Sequence, residues 1–388
     1  MTACTNPDTI TRLDSSTITT EALTDSIQHL VDAADVTGMA VTVFNDHQVA
    51  YQRSFGLANA DTGDSLRTDH LFYGASLSKA VFGYIVAQLV VEGQIDLDTP
   101  LHTYLDQPIT EVPFEKDWRG WGDLKGDPRV NEITARMCLN HTTGFPNWRW
   151  ITKDLQIDGE YPLTFFFDPG ERYSYSGEGM QLLQYVVEHI TGKGLEELAR
   201  GRVFKPFGMA NTSYLWQEEF EGTYCFGHTS DQQVIPKDKN DEAGAAGSME
   251  TTPEDYSRFL TAVLQQAEEG SPVIDSLFQP SVRIRSKAQF GPLAYEDTTA
   301  HDDIALSYGM GWGILQTPNG FGAFKEGHSE GFQHYSILFP ETGRGILLMS
   351  NSDNGESIFR DLLRIGIGDT YTPWRWENWM SILRIDGD

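Results

Sequence analysis

The chain has 388 residues and a formal net charge of −28, from 28 Lys and Arg against 56 Asp and Glu. A field of that sign excludes nucleic acid and anionic membrane surfaces as partners, while 39% hydrophobic and 12% aromatic residues exclude disorder and give enough material for more than one domain. Three cysteines (Cys4, Cys138 and Cys225) make no disulfide framework, and no Cys-x-x-Cys or His-Glu-x-x-His spacing occurs, so no metal or other cofactor is expected. No apolar run reaches the roughly 18 residues that a membrane span needs. The start, Met1-Thr2-Ala3-Cys4, lacks the basic and apolar regions of a signal peptide, which makes the cytoplasm the expected compartment. The acid excess also suits a saline habitat, and the oligomeric state is left open.

In chain order, residues 1–20 read as a loose polar start. Thr20 to about Asp35 has helical spacing, with Leu23, Ile27, Leu30 and Val31 on one stripe. Met39–Phe44 and Val49–Gly56 flank Asn45-Asp46-His47 as a hairpin. Phe72-Tyr73-Gly74-Ala75-Ser76-Leu77-Ser78-Lys79 is a small-residue turn running into an almost wholly apolar helix, so that helix should be buried and central. The stretch 106–130, with Trp118 and Trp121, is an irregular excursion. Ile133–Leu139 is a helix ending at Asn140-His141-Thr142-Thr143-Gly144, followed by a loop bearing Trp148 and Trp150. Pro169–Gly177 turns into a helix over Glu178–Gly192, capped by Ser176, and Glu196–Phe204 forms another. Thr252-Pro253-Glu254-Asp255 opens a helix with Pro at its first position. Gly309–Leu315, Tyr335–Phe339 and Gly345–Ser350 read as strands, and Ser357–Ile365 closes the chain with a helix.

Strands at both ends and helices between them imply an α+β fold: one antiparallel sheet made from both chain ends and flanked by helices, with a mostly helical region inserted. The division that follows is a discontinuous sheet domain of residues 1–75 with 243–388, and a helical domain of residues 76–242. A cleft between them should open where the Ser76 helix begins.

Three constellations carry chemistry. Ser76 and Lys79 lie one helical turn apart on one face. A lysine neutralised by burial can take the serine proton, and the helix start stabilises developing negative charge. The blander alternative is a helix cap with a solvated lysine. Tyr175 could meet Lys79 across the cleft as a general base, if a cation lowers its pKa; otherwise Tyr173 and Tyr175 are packing residues. Glu326-Gly327-His328-Ser329-Glu330-Gly331 reads as a glycine-rich loop that could offer N–H groups to a substrate, or as an ordinary surface loop. His141 reads as part of a structural turn.

Taken together and in order, these segments resemble the serine β-lactamase and penicillin-binding-protein superfamily, in its class C-like branch of esterases, D-aminopeptidases and related serine hydrolases. Gly74–Lys79 matches the nucleophile motif, Ile133–Phe145 the helix with its His-Thr-Ser-Gly turn, and Pro169–Tyr175 the approach to a Tyr-x-Asn element. Ala243–Phe259, Gly309–Gly313 and the strand ending in Ser350-Asn351-Ser352-Asp353 complete the run. The resemblance implies an acyl-enzyme on Ser76, with Lys79 and Tyr175 sharing the proton transfers. It implies an oxyanion hole from the Ser76 N–H and one N–H at Glu330 or Gly331, and it sets His328, beside Ser329, where the family's Lys-Thr-Gly lysine stands. Two departures weigh against an efficient β-lactamase: Gly177 replaces the asparagine of Tyr-x-Asn, and Glu330 would repel a substrate carboxylate if it faced the cleft. Trp148 and its neighbours suit an uncharged acyl group. The expected activity is therefore hydrolysis of small esters or amides. The alternatives are a D-amino-acid peptidase or β-lactamase, and, from another class, a non-catalytic binding or scaffold member of the fold.

Overall fold

The computed structural model describes residues 8–114 and 119–379; Cys4 and Trp118 lie outside them. Its centre is a nine-stranded antiparallel sheet. From one edge to the other the strands run Val282–Arg283, Ser307–Tyr308, Gly313–Thr317, Gly320–Ser329, Phe332–Phe339, Arg344–Ser350, Gly38–Asn45, Gln48–Asn59 and Asp64–Ser65. Strands from the two chain ends meet at the middle, where Ile346 faces Val43 and Leu348 faces Val41. The fold is α+β, with the sheet built from both termini and a long helical stretch between the two sets of strands.

The central Gly38–Asn45 strand is buried along its whole length, as a continuous apolar run requires when both faces are covered. Its alternation divides the core. Ala40 and Phe44 face a cluster made with the helical region, whereas Met39, Val41 and Val43 face one made with the terminal helices. Helix Thr20–Ala33 contributes Leu23, Ile27, Leu30 and Val31 to the second cluster and is capped by Thr19. Helix Phe359–Ile367 packs beside it. Asp46 and His47 both take positive φ, 49° and 60°, the geometry of a two-residue hairpin turn with the twist that joins adjacent strands.

Three expectations are corrected. The described start of the chain is ordered: Thr9–Thr11 pairs with Thr17–Thr19. Gly309–Leu315 is not one strand, because residues 309–312 turn inward between Ser307–Tyr308 and Gly313–Thr317. Gly311, at φ +79°, donates its N–H to the Leu139 carbonyl at 3.0 Å. Most important for function, residues 326–329 are not a loop but the end of the ten-residue Gly320–Ser329 strand, leaving only Glu330-Gly331 as its turn into Phe332–Phe339.

The helix Leu77–Val91 runs through the core with residues 77–87 and Leu89 buried. The inward turn at 309–312 packs directly against it. A Cβ on Gly83 would sit 2.3 Å from the Met310 carbonyl oxygen, so only glycine permits this approach. The Gly313–Thr317 strand pairs only as far as Phe324. Beyond it, the 325–329 segment has a free edge, and Gly327 comes against Gly74 and Leu77. This contact sets the strand end over the Ser76 turn.

Candidate active site

Ser76 stands at the start of the buried helix without capping it through its side chain, in a turn whose preceding residue, Ala75, holds φ at +45°. A non-glycine residue there is strained, and such strain persists where the surroundings over-determine it. Here Gly74 N–H donates to the Met249 carbonyl at 2.7 Å, and Ser78 Oγ donates to the Ala75 carbonyl at 2.6 Å. The turn is thus pinned on both sides of Ser76.

Lys79 Nζ lies 3.0 Å from Ser76 Oγ and 2.5 Å from the Ala246 carbonyl oxygen. The lysine is 1% exposed. Burial, followed by the nearby Lys325 ammonium, pushes its pKa well below the ordinary lysine range, against the pull of Glu326. The amine is therefore neutral far more readily than a surface lysine.

Tyr175 enters from the 169–177 turn. Ser176 Oγ accepts from Gly179 N–H at 3.0 Å and starts helix Gly177–Thr191, which fixes the preceding residue. His141, at φ +59°, accepts the Ser176 N–H on Nδ1 at 3.2 Å, and its ring lies 4.3 Å from that of Tyr175. It steadies the turn from beneath. Lys79 Nζ stands 4.9 Å from the Tyr175 ring centre, and the phenol shares the cavity with the Ser76 hydroxyl. The structure thus brings Ser76, Lys79 and Tyr175 into one cavity. The phenol's pKa is raised, not lowered: burial dominates, the Glu326 carboxylate adds to it, and the nearby Ser76 hydroxyl only opposes them.

The residue that composition and spacing missed is Lys325. It is fully buried, donates to the Tyr175 phenol at 2.9 Å and pairs with Glu326 Oε1 at 2.6 Å. The position expected for His328 is therefore corrected. The amine against the tyrosine comes from Lys325-Glu326-Gly327, three residues upstream, while His328 stands at the cavity mouth with its side chain 56% exposed and Nδ1 3.0 Å from Glu356. That bond raises the His328 pKa. Lys325 stands immediately before the Glu326–Gly331 stretch that was expected to be a loop. The oxyanion assignment at Glu330 or Gly331 is corrected as well: the Gly331 N–H is donated to Asp353 at 2.7 Å, and neither residue lines the cavity. Glu330 is exposed at the turn and does not face the cleft.

The cavity, of about 460 Å³, is lined by Ser76, Lys79 and Tyr175, by Trp148, His328 and Ser329 from the expected set, and by Asn147, Gln289, Phe290, Glu356 and Glu377, among others. Gly177 lies behind this wall. Its N–H reaches the Asn147 carbonyl at 2.9 Å and the Asn147 Oδ1 at 3.1 Å. A carboxamide is thus present in the cavity, supplied by Asn147 instead of residue 177. The Asn147-Trp148 loop is held by a buried pair in which Arg149 donates to both oxygens of Glu178, at 3.1 and 2.7 Å. Trp148 stacks on Trp150 at 5.4 Å.

A β-lactamase family model matches residues 23–367. Penicillin-binding protein 4 of Amycolatopsis lactamdurans is 26% identical over 86% of each chain. Esterase EstB of Burkholderia gladioli is 25% identical over 47% of this chain and 48% of its own. The octameric penicillin-binding protein homologue of Pyrococcus abyssi superposes with a TM-score of 0.69 at 18% identity, covering 89% of this chain and 77% of that one. A pinned serine beside a buried lysine, a tyrosine against a second lysine, and this match over most of the sequence agree: the chain belongs to the β-lactamase family.

Proposed function

We propose that the protein is a serine hydrolase that forms an acyl-enzyme on Ser76 and acts on small esters or amides. The observation that carries this reading is the 3.0 Å approach of a buried, readily neutralised Lys79 amine to the Ser76 hydroxyl. Lys79 takes the hydroxyl proton as Ser76 Oγ bonds to the acyl carbon. The carbonyl oxygen, now anionic, is received by the Ser76 N–H at the helix start and by the His328 N–H. The latter belongs to the strand segment left with a free edge, where alternate N–H groups point away from the Phe332–Phe339 partner.

Tyr175, held protonated by burial and oriented by Lys325, gives its proton to the leaving group as the carbon–oxygen or carbon–nitrogen bond breaks. The proton on Lys79 then returns to the phenol. In the second half, a water adds to the acyl carbon, loses its proton to the same base, and Ser76 Oγ leaves with a proton restored. Asn147 and Trp148 would hold the acyl group.

The two departures that weighed against an efficient β-lactamase lose force, since Asn147 supplies an amide and Glu330 is outside the cavity, and with them goes the ground for a non-catalytic member. Short-chain p-nitrophenyl esters provide the test. Turnover is expected, with Ser76→Ala reducing it by about 10³-fold or more and Tyr175→Phe by about 10²–10⁴-fold. Wild-type protein that turns over neither these esters, D-alanyl amides nor a chromogenic β-lactam would overturn the proposal.

A further inference from the structure

The cavity wall holds three carboxyl groups: Glu326, Glu356 and Glu377. Two have cationic partners, since Glu356 takes His328 and Glu326 Oε1 takes Lys325. Glu377 has none. It is 7% exposed, and its Oε1 is buried without a hydrogen-bond partner; Glu326 Oε2 is buried and unpartnered in the same way. Among the described residues, the lysines that could neutralise Glu377 are already engaged, Lys79 with Ser76 and Ala246 and Lys325 with Tyr175 and Glu326.

A buried carboxyl without donors is costly: burial and then the Glu326 carboxylate raise the Glu377 pKa well above the ordinary carboxylate range, against the pull of Lys325, so the empty site favours the protonated acid and a bound cation would restore the carboxylate. The segment that carries it is held rigidly. Its neighbour Trp376 is fully buried, donates its indole N–H to Ser286 Oγ at 3.0 Å and gives its carbonyl to Gln289 N–H at 2.9 Å. On the other side Trp379 packs edge-on against Tyr335 and Phe359, at 4.8 and 5.3 Å. A chain segment clamped this way presents its acid to the cavity by construction.

We propose that Glu377, with the free oxygen of Glu326, is an ammonium subsite of the Ser76 cavity, selecting substrates that carry a protonated primary amine. An ammonium has three donors and no acceptor, and the residues lining the cavity include two carboxyl groups with an unpartnered acceptor oxygen each. A carboxylate-bearing substrate brings these oxygens no donor. This inference rests on the hydrolase reading for its catalytic meaning, but the subsite itself can be tested separately.

The experiment compares hydrolysis of alanine methyl ester, in both configurations, with methyl propanoate and monomethyl succinate by pH-stat at neutral pH. The amino ester of at least one configuration should exceed the neutral ester in kcat/KM by about tenfold or more, and the anionic ester should be the poorest. Glu377→Gln should cut the amino-to-neutral ratio by about tenfold. Equal rates for amino and neutral esters, or a ratio unmoved in a folded Glu377→Gln protein, would overturn the subsite while leaving the hydrolase reading intact. Calorimetric titration of wild-type and Ser76→Ala protein with n-butylammonium, against n-butanol and butanoate, needs neither catalysis nor the Glu377 variant. Binding of the ammonium alone supports the subsite even if no ester is turned over, and absence of binding to both proteins counts against it.

Discussion

The chemistry proposed for Ser76 depends on which of its neighbours are charged. Lys79 is stripped of water and shares its surroundings with the Lys325 ammonium, so its pKa falls; Tyr175 is buried near Glu326, so its pKa rises. Opposite shifts on two adjacent groups assign the roles: the amine as base, the phenol as proton donor. A base acts only when unprotonated, so kcat/KM should decline as pH falls through the depressed Lys79 value, with activity already present near pH 7. A profile that begins to rise only near pH 10, where an ordinary lysine titrates, would contradict this assignment. At this scale the sequence was informative where residues are close together, as with Ser76 and Lys79 on one helical turn. It was less so where strand register decides which side chain meets a distant phenol. Lys325 and His328 are three residues apart, and only the pairing of Lys325 with Ser336 and His328 with Gln333 separates a buried amine from a rim imidazole. Asn147 and Glu377 carry no local signal at all, since a loop and a late turn bring them to the cavity.

Among the elements, the helices were legible because their periodicity and caps are local. Thr19, Ser176 and Thr252 each cap the helix that follows. The Gly320–Ser329 strand was obscured by Gly320, Gly322, Gly327 and the charged Lys325-Glu326 pair, a composition that ordinarily marks a loop. The structure uses those features deliberately: Gly327 permits contact with the Ser76 turn, and the charged pair faces Tyr175. The loop opposite depends on the Arg149–Glu178 pair, whose side chains are 7% and 1% exposed. Removing one partner strands a buried charge. Arg149→Met should therefore cost about 3–5 kcal/mol of stability, read from urea unfolding, and should raise KM as Asn147 and Trp148 loosen. A cost below about 1 kcal/mol, within the range of exposed pairs, would show that the pair does not hold this wall.

For the whole molecule, the α+β architecture was recoverable because strand patterns cluster at both ends of the chain, and a sheet closed by its termini is the simplest way to bury them. Among the described residues, no helix is long and apolar enough to cross a membrane. The packing also builds in an acid sensitivity. His334, on a strand buried on both faces, has Nε2 2.9 Å from the Tyr73 carbonyl oxygen, and burial lowers its pKa from 6.5 to about 4. The unfolded chain binds this proton near pH 6.5 and the folded one only near pH 4, so the histidine's contribution to stability is lost as pH falls across that window. The stability advantage of wild type over His334→Gln should shrink between pH 7.5 and pH 5 in urea unfolding; an advantage independent of pH would contradict it.

The central claim is that the acyl group passes through Ser76. The most direct measurement is acid quenching of the Tyr175→Phe protein during turnover of p-nitrophenyl butanoate, followed by peptide mass mapping. The account predicts one butanoyl group on the peptide containing Ser76. Steady turnover with the acyl group on another residue, or with no acyl-protein at any quench time, would contradict it.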